Sequence, residues 1–248
     1  MKYNKILWSY WEGDMDNLTK QCIDSWYKYI PNEWEIIIIN NSNIHNFPII
    51  KPYRFNELSH TTKSDVIRLS LLYNYGGLWM DSSVLLTTHL NWLLQYEHTN
   101  YYGLKIHNKS YIESWFIFVP NMYNINILNW LNVFNDILDT QPYSNHIAYT
   151  NKCTTDDNYF MIYQAFCYLV DNDNNFKYSY NYIKTLNDNA IKYIWNPMKP
   201  VISNNKLVKF VKRPRKVYKF VKFPMIYIYI FLFLIILFIT LKFTIKQT

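Results

Sequence analysis

The sequence predicts an α/β protein with a mainly parallel sheet, followed by one membrane-spanning helix near the C-terminus. Three observations carry this. Short β-prone runs alternate with segments of helical periodicity over the first 170 residues or so. Half of the 248 residues are hydrophobic, enough for a large core and too many for a disordered chain. Residues 223–241 carry no charge at all.

The elements follow in order. Ile6–Trp11 and Trp34–Ile39 read as buried strands, the second a β-branched run too apolar to face water on either side. Between them residues 16–30 place Leu18, Cys22, Trp26 and Tyr29 at spacings of three to four, start on an acidic residue and stop at Pro31, which predicts a helix. A second helix is predicted from Thr62 to Tyr75: Thr62-x-x-Asp65 fits a capping box, Val66, Leu69, Leu72 and Tyr73 share one side, and Gly76 supplies the left-handed residue at the end. Strands are expected at Leu78–Met80, Val84–Leu86, near Tyr102–Ile106 and at Trp115–Val119. Helices are expected at Ile125–Leu138 and Tyr159–Val170.

Composition removes several function classes. Only four glycines occur, Gly13, Gly76, Gly77 and Gly103, where average usage would give roughly 17. A dinucleotide-binding G-x-G-x-x-G, a Walker phosphate loop and a G-x-S-x-G nucleophile elbow are therefore absent. Cys22, Cys153 and Cys167 are odd in number and lack C-x-x-C spacing, which supports neither a zinc ribbon nor a disulfide framework and favours a reducing compartment.

Charge is distributed unevenly. All 18 acidic residues lie at or before Asp188, together with 13 of the 25 basic ones, so this part carries −5 and the remainder +12. An acidic body argues against nucleic acid as a partner, since phosphate contacts demand a basic face on the fold itself. Residues 223–241, interrupted only by Pro224 and Thr240, reach roughly 28 Å as a helix, close to the hydrocarbon thickness of a bilayer. Eight basic residues precede this span between Lys206 and Lys222, and two, Lys242 and Lys246, follow it. The positive-inside rule then keeps the N-terminal body cytosolic. Met1 leads straight into a strand-like segment and not into a signal peptide, so the expected protein is single-pass and tail-anchored, with the sequons at Asn17, Asn40 and Asn108 unused. The expected organisation is a globular domain over 1–200, a basic juxtamembrane segment over 201–222, a transmembrane helix over 223–241 and a short tail over 242–248. The basic segment reads as a topology signal with attraction to anionic lipid. Its lysine spacing, with Leu207, Phe210, Val211 and Val217 between, also fits an interfacial stretch broken at Pro214.

Chemistry concentrates in residues 64–84, SDVIRLSLLYNYGGLWMDSSV. Two of the four glycines sit here, between a helix and a strand that ends in a carboxylate. Asp65 and Arg68, three apart, share a helix face. Asp81 falls at the C-terminal end of a strand, where open α/β sheets bind ligands. Taken singly, the pair is also consistent with a surface salt bridge and Asp81 with a turn or cap aspartate.

This run resembles the signature of the capsular polysaccharide synthesis proteins and, more distantly, of glycosyltransferases with a DXD sugar-binding region (glycosyltransferase family 32-like), including the glucosylating clostridial toxins. The opening strand Lys5-Ile6-Leu7-Trp8-Ser9-Tyr10-Trp11-Glu12, the helix segment Cys22-Ile23-Asp24-Ser25-Trp26, the later Glu113-Ser114-Trp115-Phe116 and the helix start Asn158-Tyr159-Phe160 are similar as well, over residues 4–170. The resemblance implies a GT-A, Rossmann-like nucleotide-sugar-binding fold. It also implies retaining, hexosyltransferase-like transfer from a UDP- or GDP-sugar donor to a glycan or polysaccharide acceptor. A leaving nucleoside diphosphate develops negative charge that Mn²⁺ or Mg²⁺ stabilises, and a strand-end carboxylate supplies a suitable hard oxygen. By matching positions, Asp81 would touch the cation or the donor ribose. Asp65 and Arg68 would hold the sugar hydroxyls, with Arg68 also reaching a phosphate, and Gly77 and Ser83 would belong to the donor-binding set. Trp8, Tyr10 and Trp11 fit either stacking on the base or the core. Asp156 and Asp157, before a helix start, fit either a catalytic base or a cap. Ser83 stands where a full DXD has its second acid, which leaves a second role open: an inactive, membrane-bound binding or assembly protein of the same fold.

Overall fold

Side chains alternate across strand β1 (Ile6–Tyr10), so that Leu7 and Trp8 enter different cores. The computed structural model describes residues 4–105, 109–140, 161–183, 190–194 and 206–211. β1 runs parallel to β2 (Glu35–Ile39) on one side and to β3 (Gly77–Met80) on the other, with Leu7 opposite Leu78 and Trp8 opposite Trp79. Beyond β3, with β4 (Val84–Leu86) diverging to a second sheet, come β6 (Ile112–Val119) and β5 (Tyr102–Lys105), both antiparallel to their neighbours. The five-stranded sheet has the order β2-β1-β3-β6-β5 and is mixed. The parallel half is the part that helix α1 (Asn17–Tyr29) and helix α2 (His60–Tyr75) connect. Residues 106–111 between β5 and β6 are too few for a crossover helix, so that pair is antiparallel.

One face of the sheet packs Trp8, Trp79, Ile117 and Val119 against α2, α3 (Ile125–Asp139) and α4 (Met161–Asn172), with α5 (Asn174–Asn181) beyond. The other packs Leu7, Leu78, Met80, Phe116 and Phe118 against Trp26 and Ile23 of α1. Trp8, Trp26, Trp79 and Trp130 are all fully buried, and burying a side chain of this size stabilises the fold by about 2–3 kcal/mol.

Local signals explain the helix ends. Asp16 caps α1 by accepting from the Thr19 N–H at 2.8 Å. α2 begins earlier than the Thr62 start expected from sequence, because Ser59 is its cap and accepts from the Thr62 N–H at 3.2 Å. Asp65 therefore takes no part in capping. α2 ends at Gly76 (φ 65°), and Gly77 (φ 91°) turns the chain directly into β3. A Cβ on Gly76 would stand 2.8 Å from the Val119 carbonyl oxygen, and one on Gly77 2.5 Å from that of Ile6, so both positions demand glycine for space as well as for conformation.

The folded unit extends further than the expected boundary at residue 200. β7 (Ala190–Ile194) and β8 (Leu207–Val211) join β4 in a second sheet of order β4-β8-β7. The part of the basic segment expected at the membrane is thus a strand. Leu207-Val208-Lys209-Phe210-Val211 is a β-prone run, and its buried Val208 and Phe210 pack on Leu18 and Cys22 of α1. The unit ends at Val211, and the second unit, 212–248, lies outside the described residues together with the expected transmembrane helix 223–241. Among the described residues no helix is long and apolar enough to cross a membrane. Cys22 is free, its thiol pushed up to about 12 chiefly by burial. Cys167 is disulfide-bonded, whereas its sequence spacing had supported no cross-link.

Candidate functional site

α2 is buried on all sides from Asp65 to Leu72 because it lies between the sheet and α3, and this carries two charged side chains into the interior. Asp65 and Arg68 are 7% and 3% exposed. Such burial requires pairing. The Arg68 guanidinium meets it as a fork: Nη1 donates to Asp65 Oδ1 at 2.5 Å and Nη2 to Asp81 Oδ1 at 2.9 Å. Trp79 Nε1–H donates to the same Asp81 oxygen at 2.9 Å, and the guanidinium carbon lies 4.8 Å from the centre of the Trp79 ring. The other Asp81 oxygen, Oδ2, accepts from Lys209 Nζ at 2.6 Å, and the same ammonium donates to Ser83 Oγ at 2.8 Å. Two carboxylates and two cations thus form one chain, Asp65, Arg68, Asp81, Lys209.

The backbone holds each end of this chain. Asp81 N–H donates to the Trp115 carbonyl at 3.0 Å, and the Val84 N–H to the Asp81 carbonyl at 3.0 Å, which fixes the turn out of β3. Lys209 lies opposite Val84 in the antiparallel β4–β8 ladder, and Phe210 N–H donates to the Ser83 carbonyl at 3.0 Å. β4 is itself pinned to α1, since Trp26 Nε1–H donates to the Val84 carbonyl and Leu86 N–H to Ser25 Oγ.

The two carboxylates are driven apart electrostatically. Burial raises the Asp65 pKa to about 6, opposed by the Arg68 charge and assisted by the Asp81 charge. Burial would raise Asp81 too, but Lys209 and Arg68 together outweigh it and hold that carboxyl well below its ordinary value. One arginine serves both acids, while Lys209 bonds Asp81 directly and is only the smallest influence on Asp65.

A cavity of about 270 Å³ opens over this chain at the C-terminal ends of β1 and β3. Of the residues expected from sequence, Tyr10, Trp11, Arg68, Asp81 and Ser83 line it. Asp65 does not; it lies behind Arg68 and orients it. Trp8 belongs to the core: it is 1% exposed, donates from Nε1 to the Gly76 carbonyl at 2.9 Å and packs on Phe47 and Tyr75, so it cannot stack on a base. Gly77 is a packing glycine between β1 and β3 and touches no ligand space. Asp156 and Asp157 lie outside the described residues. Sequence reasoning missed Glu12, His60, Thr61, Ser64 and Ser82 in the lining and, above all, Lys209, which is not in the lining itself but bonds the lining residues Asp81 and Ser83. His60 Nδ1 lies 3.1 Å from the Tyr10 hydroxyl. The signal that could have found Lys209 was the five-residue β-prone run around it, distinct from the Lys/Arg-rich stretch that follows.

The expected divalent cation can be tested against this arrangement. Asp81 is the only acid on the turn, its two oxygens already accept from three donors, and an ammonium stands 2.6 Å from Oδ2. Among the described residues no three His, Cys, Asp or Glu side chains gather as a metal site. A hard cation needs oxygen ligands and no competing charge beside them. These residues, so arranged, do not fit it.

Comparison with known proteins adds three findings. A family model described as capsular polysaccharide synthesis protein matches residues 1–224. The O-glycosyltransferase PaGT of Phomopsis amygdali is 26% identical over 98 residues, covering 33% of this chain and 24% of that protein, so the match spans about a quarter of that relative's length. A solved PaToxG glycosyltransferase aligns with 73% of this chain and 75% of that one, with a TM-score of 0.46 and 14% identity.

Proposed function

The chain belongs to the capsular polysaccharide synthesis protein family, and from that premise we propose that it is a glycosyltransferase, moving a sugar from a UDP- or GDP-sugar to a glycan or polysaccharide acceptor. The observation that carries this is the Arg68 fork between Asp65 and Asp81, opening into a cavity at the C-terminal ends of parallel strands. The cavity offers a carboxylate for ribose or sugar hydroxyls, a planar cation for oxygens in pairs, and the half-buried Trp11 ring as a platform for a base. In the transfer the bond from the sugar C1 to the diphosphate oxygen breaks, and its electron pair stays on that oxygen. The acceptor oxygen forms the new bond to C1, and the acceptor proton passes to the departing diphosphate. When both events take place on one face of the sugar, configuration is retained. The protein's part is to hold positive charge where the negative charge develops.

The test is a screen of nucleotide sugars with the purified full chain, followed as release of nucleoside diphosphate and by NMR of the product anomer. Turnover of one or a few donors with the anomer kept is the expected result. Binding of a donor without any turnover would support instead the inactive binding protein of this fold, for which Ser83 in place of an acid is the motive.

We further propose that residues 223–241 anchor the body to a membrane and that the body is cytosolic, because eight basic residues precede the span and two follow it. The disulfide at Cys167 argues for the opposite, oxidising side. Protease treatment of sealed membranes separates them: digestion of the body without detergent is expected, and protection together with glycans on the sequons would reverse the orientation.

A further inference from the structure

Residues 81 and 83 are bridged by a positive charge that the protein itself supplies. Lys209 Nζ lies 2.6 Å from Asp81 Oδ2 and 2.8 Å from Ser83 Oγ, so it occupies the place a cation held by the first and third residues of Asp81-Ser82-Ser83 would take. Its position is set by backbone pairing. Lys209 is opposite Val84 in the β4–β8 ladder, Phe210 N–H donates to the Ser83 carbonyl, and the lysine side chain is 14% exposed. Trp115 lies along it, with Nζ 6.0 Å from the ring centre. Charge balance points the same way. A divalent ion between two acids is locally neutral, and one ammonium beside Asp81 and an uncharged Ser83 is locally neutral too. Position 83 carries no acid, and Lys209 supplies a cation beside it.

An ammonium has three donors. Two are directed to Asp81 and Ser83, both of which line the cavity, and no described contact takes up the third. Arg68 stands on the far side of the same carboxylate, its Nη2 2.9 Å from Asp81 Oδ1. The two cations flank Asp81, and an anion entering beside that carboxylate meets both.

We propose that Lys209 takes the place of the divalent cation in donor recognition, binding the diphosphate of the nucleotide sugar so that neither binding nor departure of that group requires a metal ion. This rests on the donor-binding reading above. In the transfer step the ammonium neutralises charge on the diphosphate oxygen that keeps the electron pair of the broken C1–O bond.

The test is calorimetric titration of the full chain in detergent with UDP, GDP, CDP and ADP, in EDTA and in Mn²⁺. Binding of one nucleoside diphosphate with about the same affinity in both buffers is expected, and its loss by about tenfold or more in Lys209→Met, which keeps the apolar stem but not the charge-assisted hydrogen bonds. The double variant S83D/K209A should regain affinity only when Mn²⁺ is present, a response that a merely structural lysine would not produce. Its melting temperature, read beside that of the wild type, reports folding. Binding by the wild type only with Mn²⁺, or equal binding by Lys209→Met and wild type in EDTA, would overturn the proposal and leave donor binding intact. No binding of any nucleoside diphosphate in either buffer would overturn the donor reading itself.

Discussion

Two cavities of nearly the same volume, about 270 and 280 Å³, differ in everything that matters for chemistry. The smaller lies over Arg68, Asp81, Ser83 and His60, at the ends of β1 and β3. The larger is walled by tyrosines, Tyr96, Tyr101, Tyr102, Tyr178 and Tyr182, with Asn100 and Ser179 between them, at the start of β5, on α5 and on the segments beside them. In the first, opposite charges are held by helix and ladder backbone, and the two acids are pushed to different affinities for a proton. In the second, the lining holds no carboxylate, lysine or arginine, and Tyr178 and Tyr182 bond each other across open solvent at 2.8 Å. Volume alone does not identify a reactive site. Charge fixed on rigid elements, at a cost in desolvation that the fold must offset, does.

The largest effects should come from breaking the charged cavity. Arg68→Lys keeps the charge but cannot span Asp65 and Asp81, and Asp81→Asn removes the negative charge and one of the two oxygens that accept from Arg68, Trp79 and Lys209. Each should lower kcat/KM for donor turnover by about 10²–10³. Near-normal turnover in purified Arg68→Lys would show that the fork is only an internal ion pair.

A smaller effect concerns Asp65 and pH. Its pKa rises on folding from 3.8 to about 6, so the folded state prefers the protonated form. The stability this contributes is full below about pH 4 and is lost as pH rises through 6, by roughly 1–3 kcal/mol. Asp81 has the opposite sign: its contribution is present above the ordinary carboxylate range and is lost on acidification. Urea unfolding at several pH values should therefore show the Asp65→Asn variant without the decline between pH 4 and 6. A decline of the same size in that variant would assign it to another group.

The smallest effects are expected in the tyrosine cavity. Tyr178→Ala and Tyr182→Ala, both at exposed positions, should leave nucleoside diphosphate affinity within about twofold and stability within about 0.5 kcal/mol. A tenfold loss of donor affinity in either would make the two cavities parts of one site.

Local spacing and turn chemistry are legible in the sequence. Asp65 and Arg68 were visible as a pair because helical spacing brings residues three apart together. Asp81 was visible because Gly76-Gly77 marks where a helix turns straight into a strand, and four residues of that strand lead to it. The capping box at Thr62 failed because Ser59, three residues earlier, offers the same hydroxyl and adds a turn to the helix. Trp8 and Trp11 look alike in the sequence. The pleat of β1 sends one into the core, while the other lies past the strand end at the cavity, and only register and burial distinguish them.

The sequence by itself determined the family, the alternation of strand and helix, and the three charged residues on one continuous segment, because each depends on neighbours within a turn or a strand. The tertiary structure alone decided the rest. The antiparallel placement of β6 beside β3 follows from pairing between strands distant in the sequence. The burial of α2 comes from α3 packing over it, which turns an ordinary i,i+3 pair into an interior one. Lys209, 128 residues from Asp81, lies in a run that local pattern marks as a strand, but nothing in that pattern names the strand it pairs with. It enters the site because β8 pairs with β4, and such pairing is a long-range contact whose partner a linear pattern does not specify.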